Sequence, residues 1–185
     1  MNNIYNRIIL GIDPGTTIMG YGILAVDRKK PVYIAMGSIQ LQKIRDTYLK
    51  LQAIFTGTKE LIDQYHPDEL AIEAPFYGKN VQSMLKLGRA QGVAIAAAIS
   101  YQIPVFEYAP RKIKMAITGQ GAASKEQVAT ILEKILNFKD IPYNLDATDG
   151  LAAALCHFYQ DKAIPTKRSY RNWDDFIRKN PGRMR

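Results

Sequence analysis

The chain has 185 residues, 47% hydrophobic and 23% charged, enough for one sizeable buried core and unlike a disordered or fibrous chain. Its net charge is +8, of which +6 falls in residues 162–185, where eight Lys or Arg face only Asp174 and Asp175. No apolar run reaches the roughly 18 residues that cross a bilayer, "MNNIYNRIILG" has no signal-peptide layout, and the single Cys156 excludes an intrachain disulfide, so a cytosolic protein is expected.

Three runs at about 7–13, 19–27 and 31–41 read as strands, separated by "PGTT" and "RKKP" with no helical pattern between them. That is an antiparallel meander. Residues 46–65 place Leu51, Ile54, Phe55, Leu61, Ile62 and Tyr65 at three-and-four spacing, an amphipathic helix despite the cost of Gly57. "ELAIEA" at 69–74 follows as a short buried strand, then a helix at about 80–102 rich in small residues, then a strand at "IPVFEY", 103–108. Those small residues, among them Gly88, Ala90, Gly92 and Ala94, permit close packing on the sheet or on a second subunit.

Ser124 and Gln127 form a capping-box pattern that opens a helix striped by Val128, Ile131, Leu132, Ile135 and Leu136. A last helix covers about 146–161, with Leu151, Leu155, Phe158 and Tyr159 expected on the side away from its acids. Beyond residue 161 the periodicity stops, and 162–185 reads as a flexible basic tail suited either to polyanions or simply to solubility. The expected fold class is therefore α/β, one domain over 1–161, with a mixed five-stranded sheet that starts antiparallel and continues through parallel crossovers.

Acids stand at three element ends: Asp13 closes the first strand, Glu73 the fourth, and Asp146 and Asp149 open the last helix. Each alone has a plainer explanation. Asp13 before Pro-Gly is a common turn former, Glu73 suits an exposed strand end, and Asp146 or Asp149 suits a helix cap. Together they point elsewhere. Carboxyl ends of neighbouring parallel strands lie close, open α/β sheets place ligands at that edge, and acids three apart on a helix diverge by only about 60°. Four carboxylates gathered there repel one another unless a cation joins them. Magnesium suits such oxygen donors, and a pair of ions can serve the attacking water and the leaving oxygen of a phosphodiester without a protein nucleophile. The two histidines, His66 and His157, form no Ser-His-Asp or zinc-like constellation.

Between 111 and 125 the chain carries Arg111, Lys112, Lys114 and Lys125 with no acid, flanking the glycine-bearing turn "TGQGAAS". Phosphate contact explains this run, and so does a solvated surface. Phe76 and Tyr77 lie in "APFYGKN" beside Glu73 and can stack on unpaired bases, worth roughly 1–3 kcal/mol each, or pack beneath their own loop.

Four collinear blocks, "GIDPGTTIMGYGIL", "IEAPFYGKNVQSMLKLGRAQG", "YAPRKIKMAITGQGAASKEQV" and "DATDGLAAALCH", resemble the RuvC-type Holliday-junction resolvases of bacteria over about residues 7–161. The resemblance implies an RNase H-like fold with helices on both faces of the sheet and a homodimer. The implied activity is a structure-selective endonuclease of recombination and repair that nicks four-way DNA junctions at two symmetric positions. It implies magnesium, with manganese able to substitute, two ions per site, and partnership with a branch-migration motor. By motif position Asp13, Glu73, Asp146 and Asp149 match the family's metal ligands, Phe76 an aromatic inserted at the junction, and Lys114 and Lys125 contacts near the scissile phosphate. The position of Asp146 is histidine in some relatives, and the basic tail lies outside the family motifs.

Two rivals stand beside this reading. "DPGTT" also opens the phosphate loop of actin-like and sugar-kinase phosphotransferases, but the chain is too short for their second domain and lacks a second Asp-Gly loop. A junction-binding architectural protein that has lost activity would not need all four acids.

Overall fold

The computed structural model describes residues 5–75, 80–138 and 145–163, with the backbone alone at 161–163. The elements are β1 (Arg7–Asp13), β2 (Ile18–Asp27), β3 (Lys30–Gln40), α1 (Thr47–Tyr65), β4 (Glu69–Glu73), α2 (Val81–Ser100), β5 (Val105–Tyr108), α3 (Pro110–Thr118), α4 (Lys125–Leu136) and α5 (Asp146–Ala163).

The five strands form one sheet in the order β3-β2-β1-β4-β5. The β1–β2 and β2–β3 pairs are antiparallel, as short connections dictate, and β1–β4 and β4–β5 are parallel, as the α1 and α2 crossovers require. Alternation along β1 divides the interior in two. Ile9 joins Leu24, Leu132 and Leu155 in a core shared with α3, α4 and α5. Leu10 and Ile12 point the other way, into a core with Ile54, Ile62, Ala90 and Ala94 of α1 and α2. Helices therefore cover both faces, and the expected mixed five-stranded sheet is what the chain forms.

Local chemistry fixes the ends. Asp46 caps α1 by accepting from the N–H groups of Tyr48 and Leu49, and His66 ends that helix in the left-handed region at φ 47°. The Ser124–Gln127 capping box closes reciprocally, with both hydrogen bonds formed.

Two local expectations need correction. The cationic run after residue 110 is itself a helix, α3, opened by Pro110 at its first position and ended by Gly119 at φ +73°. Ile113 and Ile117, four apart and buried, give it an apolar line that the charges around them conceal. The second concerns α5, whose residues Ala147, Thr148 and Gly150 to Phe158 are all buried. The expected apolar stripe on the side away from the acids is not a separate face: the backbone of Leu151 lies against Gly22 of β2, and the small residues on the acid side are buried as well. A helix buried all round offers no stripe from which orientation can be read.

Candidate active site

Parallel pairing of β1 with β4 matches Ile12 to Ile72, so the next residues, Asp13 and Glu73, end neighbouring strands side by side. Both line a depression of about 150 Å³ whose other walls are Pro14, Ala74, Pro75 and Leu87 of α2. This is the carboxyl edge of the parallel part of the sheet, where open α/β sheets bind ligands.

The first turn of α5 is held at the same edge by backbone contact. A Cβ added to Gly20, the antiparallel partner of Asp13, would overlap the carbonyl oxygen of Asp146. One on Gly11 would overlap the Gly150 carbonyl, and one on Gly150 would meet the backbone of Tyr21 at 2.5 Å. Gly11, Gly20 and Gly22 of the strands and Gly150 of the helix thus let α5 lie directly on β1 and β2. Side chains at these positions would lift its acids away from Asp13.

The electrostatics follow from that closeness. Burial, reinforced by the charges of Asp149 and Asp146, pushes Asp13 up to about 7, against the pull of Lys125. Burial with the charges of Asp13 and Asp149 pushes Glu73 up to about 8, opposed by Lys125 and Lys114. Asp149 is also raised by burial, although a hydrogen bond from Lys125 works the other way. The Lys125 ammonium bridges the α5 acids, 3.0 Å from Asp146 Oδ1 and 2.5 Å from Asp149 Oδ2. Burial disfavours its charge, but the hydrogen bonds and charges of Asp149 and Asp146 prevail and hold it above the ordinary lysine range.

The donor set suits a hard divalent cation in chemistry: it offers carboxylate oxygens only, and Asp13 and Glu73 are burdened by mutual repulsion that a cation relieves. Among the described residues, however, no three His, Cys, Asp or Glu side chains converge tightly enough to enclose an ion as they stand. Lys125, with a smaller contribution from Lys114, supplies the positive charge that the acids feel.

The remaining candidates separate. Lys114 is half-buried and acts on Glu73 and Asp149. Lys112 lies over the ring of Tyr108, 5.1 Å from its centroid, and the Arg111 side chain borders Gly121. Phe76 and Tyr77 lie outside the described residues. Sequence reasoning missed Gln91, a buried polar residue in the alanine-rich face of α2, whose Nε2 donates to Glu107 Oε2 at 2.7 Å and to the Glu73 carbonyl at 3.4 Å. It braces the end of β4. An amide among buried alanines was the available signal. Also missed was Lys50, which donates to the carbonyl of Thr16 at 2.9 Å and ties α1 to the turn after Asp13.

His157 is buried rather than poised. It meets the Tyr108 hydroxyl at 2.6 Å and Glu69 Oε2 at 2.9 Å. His66 is exposed, and Cys156 is fully buried with its thiol pushed up to about 11 by that burial. Among the described residues no helix is long and apolar enough to cross a membrane.

Comparison with known proteins agrees with this geometry. Residues 9–157 match the family described as crossover junction endodeoxyribonuclease RuvC. The RuvC crossover junction endodeoxyribonuclease of Christiangramia forsetii is 63% identical over 97% of this chain and 93% of its own length. That of Bacteroides fragilis is 61% identical over 98% of each chain. In three dimensions the chain superposes on T. thermophilus RuvC in complex with a Holliday junction substrate, with a TM-score of 0.77 and 30% identity, covering 85% of this chain and 97% of that one. The RNase H-like fold that the motifs imply is borne out by these neighbours. Motif, sheet topology and relatives agree, and the chain belongs to the RuvC family of crossover junction endodeoxyribonucleases.

Proposed function

We propose that this protein resolves four-way (Holliday) DNA junctions by paired symmetric nicks, hydrolysing a phosphodiester to leave 5'-phosphate and 3'-hydroxyl ends during recombination and repair. The observation that carries the reading is the register of β1 against β4, with Asp13 beside Glu73 under the first turn of α5. The relatives and the junction-bound neighbour support the choice of substrate.

Asp13, Glu73, Asp146 and Asp149 are the residues proposed to hold magnesium, two ions per site with manganese able to substitute. Bound there, the ions supply Lewis acidity toward the attacking water and the leaving oxygen. The protein's own contribution is positional. Backbone contact at Gly11, Gly20 and Gly150 fixes the acids against each other, and Gln91 braces the strand end that carries Glu73. Lys125 neutralises Asp146 and Asp149 before substrate arrives, and with Lys114 it offers cationic donors toward a scissile phosphate. Arg111 and Lys112 add charge on the exposed side of α3, and Phe76 and Tyr77 are proposed to stack at the branch point.

A homodimer matches a junction that presents two equivalent strands. Val81 and Leu85 of α2 support it: they are 60% and 54% exposed and share a face with Gly88 and Gly92, beside which there is open space. The proposed organisation is a nuclease domain over 1–161 followed by a basic segment over 162–185. Cytoplasmic location and service to a branch-migration motor complete it.

The test is a nicking assay on a synthetic four-way junction with and without magnesium. Wild-type protein should cut two opposed strands only with metal, and Asp13→Asn should bind the junction without cutting it. Cutting that persists in chelator, or an Asp13→Asn protein that cuts normally, would remove the acids from the chemistry.

A further inference from the structure

A second charged concavity, of about 170 Å³, lies next to the acids and has no part in the hydrolysis described above. Its walls carry Arg45, Lys50, Lys86 and Arg89, together with Thr16 and Thr47. Leu51 and Ile54 contribute an apolar floor. Among the described residues there is no acid in the lining.

Three separate segments build it. Lys86 and Arg89 are three apart on α2 and so project from one side of that helix. Arg45 immediately precedes the cap of α1, and the cap residue Asp46 spends a carboxylate oxygen on the N–H groups of Tyr48 and Leu49. Lys50 reaches from α1 to the Thr16 carbonyl. None of the four cations makes an ion pair among the described residues. Four like charges around one hollow repel each other, a cost that an anion in the hollow would offset.

The concavity and the acid depression draw their linings from two common segments, the turn after β1 and helix α2. On one side Asp13 and Pro14 border the acids while Thr16, in the same turn, borders the cations. On the other, Leu87 borders the acids while Lys86 and Arg89 border the cations. Among the described residues the polar groups of the lining are cations and threonine hydroxyls, all of them able to donate to the oxygens of a phosphate.

We propose that this concavity is a binding site for a backbone phosphate of the DNA, on a stretch of strand that lies outside the scissile position. Arg45, Lys86 and Arg89 supply the charge, the Thr47 hydroxyl a further donor, and Lys50 couples the bound phosphate to the turn that follows Asp13. Such a contact positions the strand without regard to sequence. The inference rests on the reading of the chain as a DNA-junction nuclease.

The test compares full-length wild type, Arg45→Gln/Lys86→Gln and the charge-keeping Arg45→Lys/Lys86→Arg. Each binds a synthetic four-way junction over a salt series without divalent metal. Ethylation interference then maps which phosphates matter. Both residues are exposed, so unchanged melting temperatures are expected and serve as the folding control. The Gln pair should flatten the log–log salt dependence by about 0.9, the value for one lost phosphate contact, and the charge-keeping pair should restore most of it. An ethylated phosphate away from the cut site should weaken wild-type binding and lose its effect in the Gln pair. Wild type that nicks junctions while the Gln pair keeps the wild-type slope and interference pattern overturns this site alone. Wild type that neither binds nor nicks junctions overturns the nuclease reading with it.

Discussion

Gly20 stands opposite Asp13 in the β1–β2 ladder, and the Asp146 carbonyl oxygen fills the space that a side chain at Gly20 would take. Of the glycines on which α5 rests, this one lies between a strand acid and the helix acids and bears most directly on their separation. The obstacle is backbone, which cannot rotate aside as a flexible side chain would.

Gly20→Ala should accordingly displace the first turn of α5 rather than be absorbed locally. Overpacking of this kind costs about 1–3 kcal/mol. Calorimetry should show that loss of stability. Single-turnover junction cleavage, measured well below the new melting temperature, should fall at least tenfold while junction binding holds. A variant destabilised to this extent that cleaves at the wild-type rate would show that the acids do not need α5 at its present height.

The raised carboxyls give the metal-free protein a pH dependence of definite sign. Asp13 and Glu73 ionise in the folded chain only near 7 and 8, whereas in the unfolded chain they ionise near 4. Between those limits the folded state binds more protons, so this contribution is fullest below about pH 4 and is lost progressively as pH rises to 7 and 8. Melting temperature in chelator should fall over that interval. Asp13→Asn should flatten the profile and raise the melting temperature at pH 8. Magnesium at pH 8 should stabilise the wild type and do much less for the Asn variant. A metal-free profile that climbs from pH 5 to 8 would show that Lys125 already satisfies the cluster.

These relationships differ in how openly the chain displays them. Strand alternation placed β1 to β4 within a residue or two, because sheet period and burial coincide there, and the Ser124–Gln127 box marked the start of α4 through purely local hydrogen bonds. Asp13, Glu73, Asp146 and Asp149 were visible as acids at element ends. What hid was whatever depends on contact between distant segments. The α3 helix was masked by three cations in nine residues, and the sheet-facing side of α5 by burial on every side. The bridge from Lys125 to Asp149 spans 24 positions, and the cationic hollow joins residues 16, 45–50 and 86–89. No periodicity encodes such meetings.

His157 offers the last check, because a histidine in a nuclease invites a catalytic role that its surroundings oppose. Its ring is 3% exposed and stacks on Phe106 with centroids 4.3 Å apart. With Nε2–H donating to the Glu69 carboxylate, Nδ1 is left to accept from the Tyr108 hydroxyl. Arg7 joins the same carboxylate at 3.4 Å. The network thus ties α5 to β1, β4 and β5 through Glu69, the residue that opens β4, whereas Glu73 closes it at the acid edge. Its work is cohesion between helix and sheet. Tyr108→Phe should strip Nδ1 of its donor in a buried site and cost about 1–3 kcal/mol, seen as a lower urea midpoint at unchanged slope. Junction cleavage per folded molecule should stay within about twofold, since a cost paid in global stability leaves the folded population's chemistry alone at temperatures well below melting. A protein of wild-type stability that has lost cleavage would instead put the Tyr108–His157 pair into the reaction.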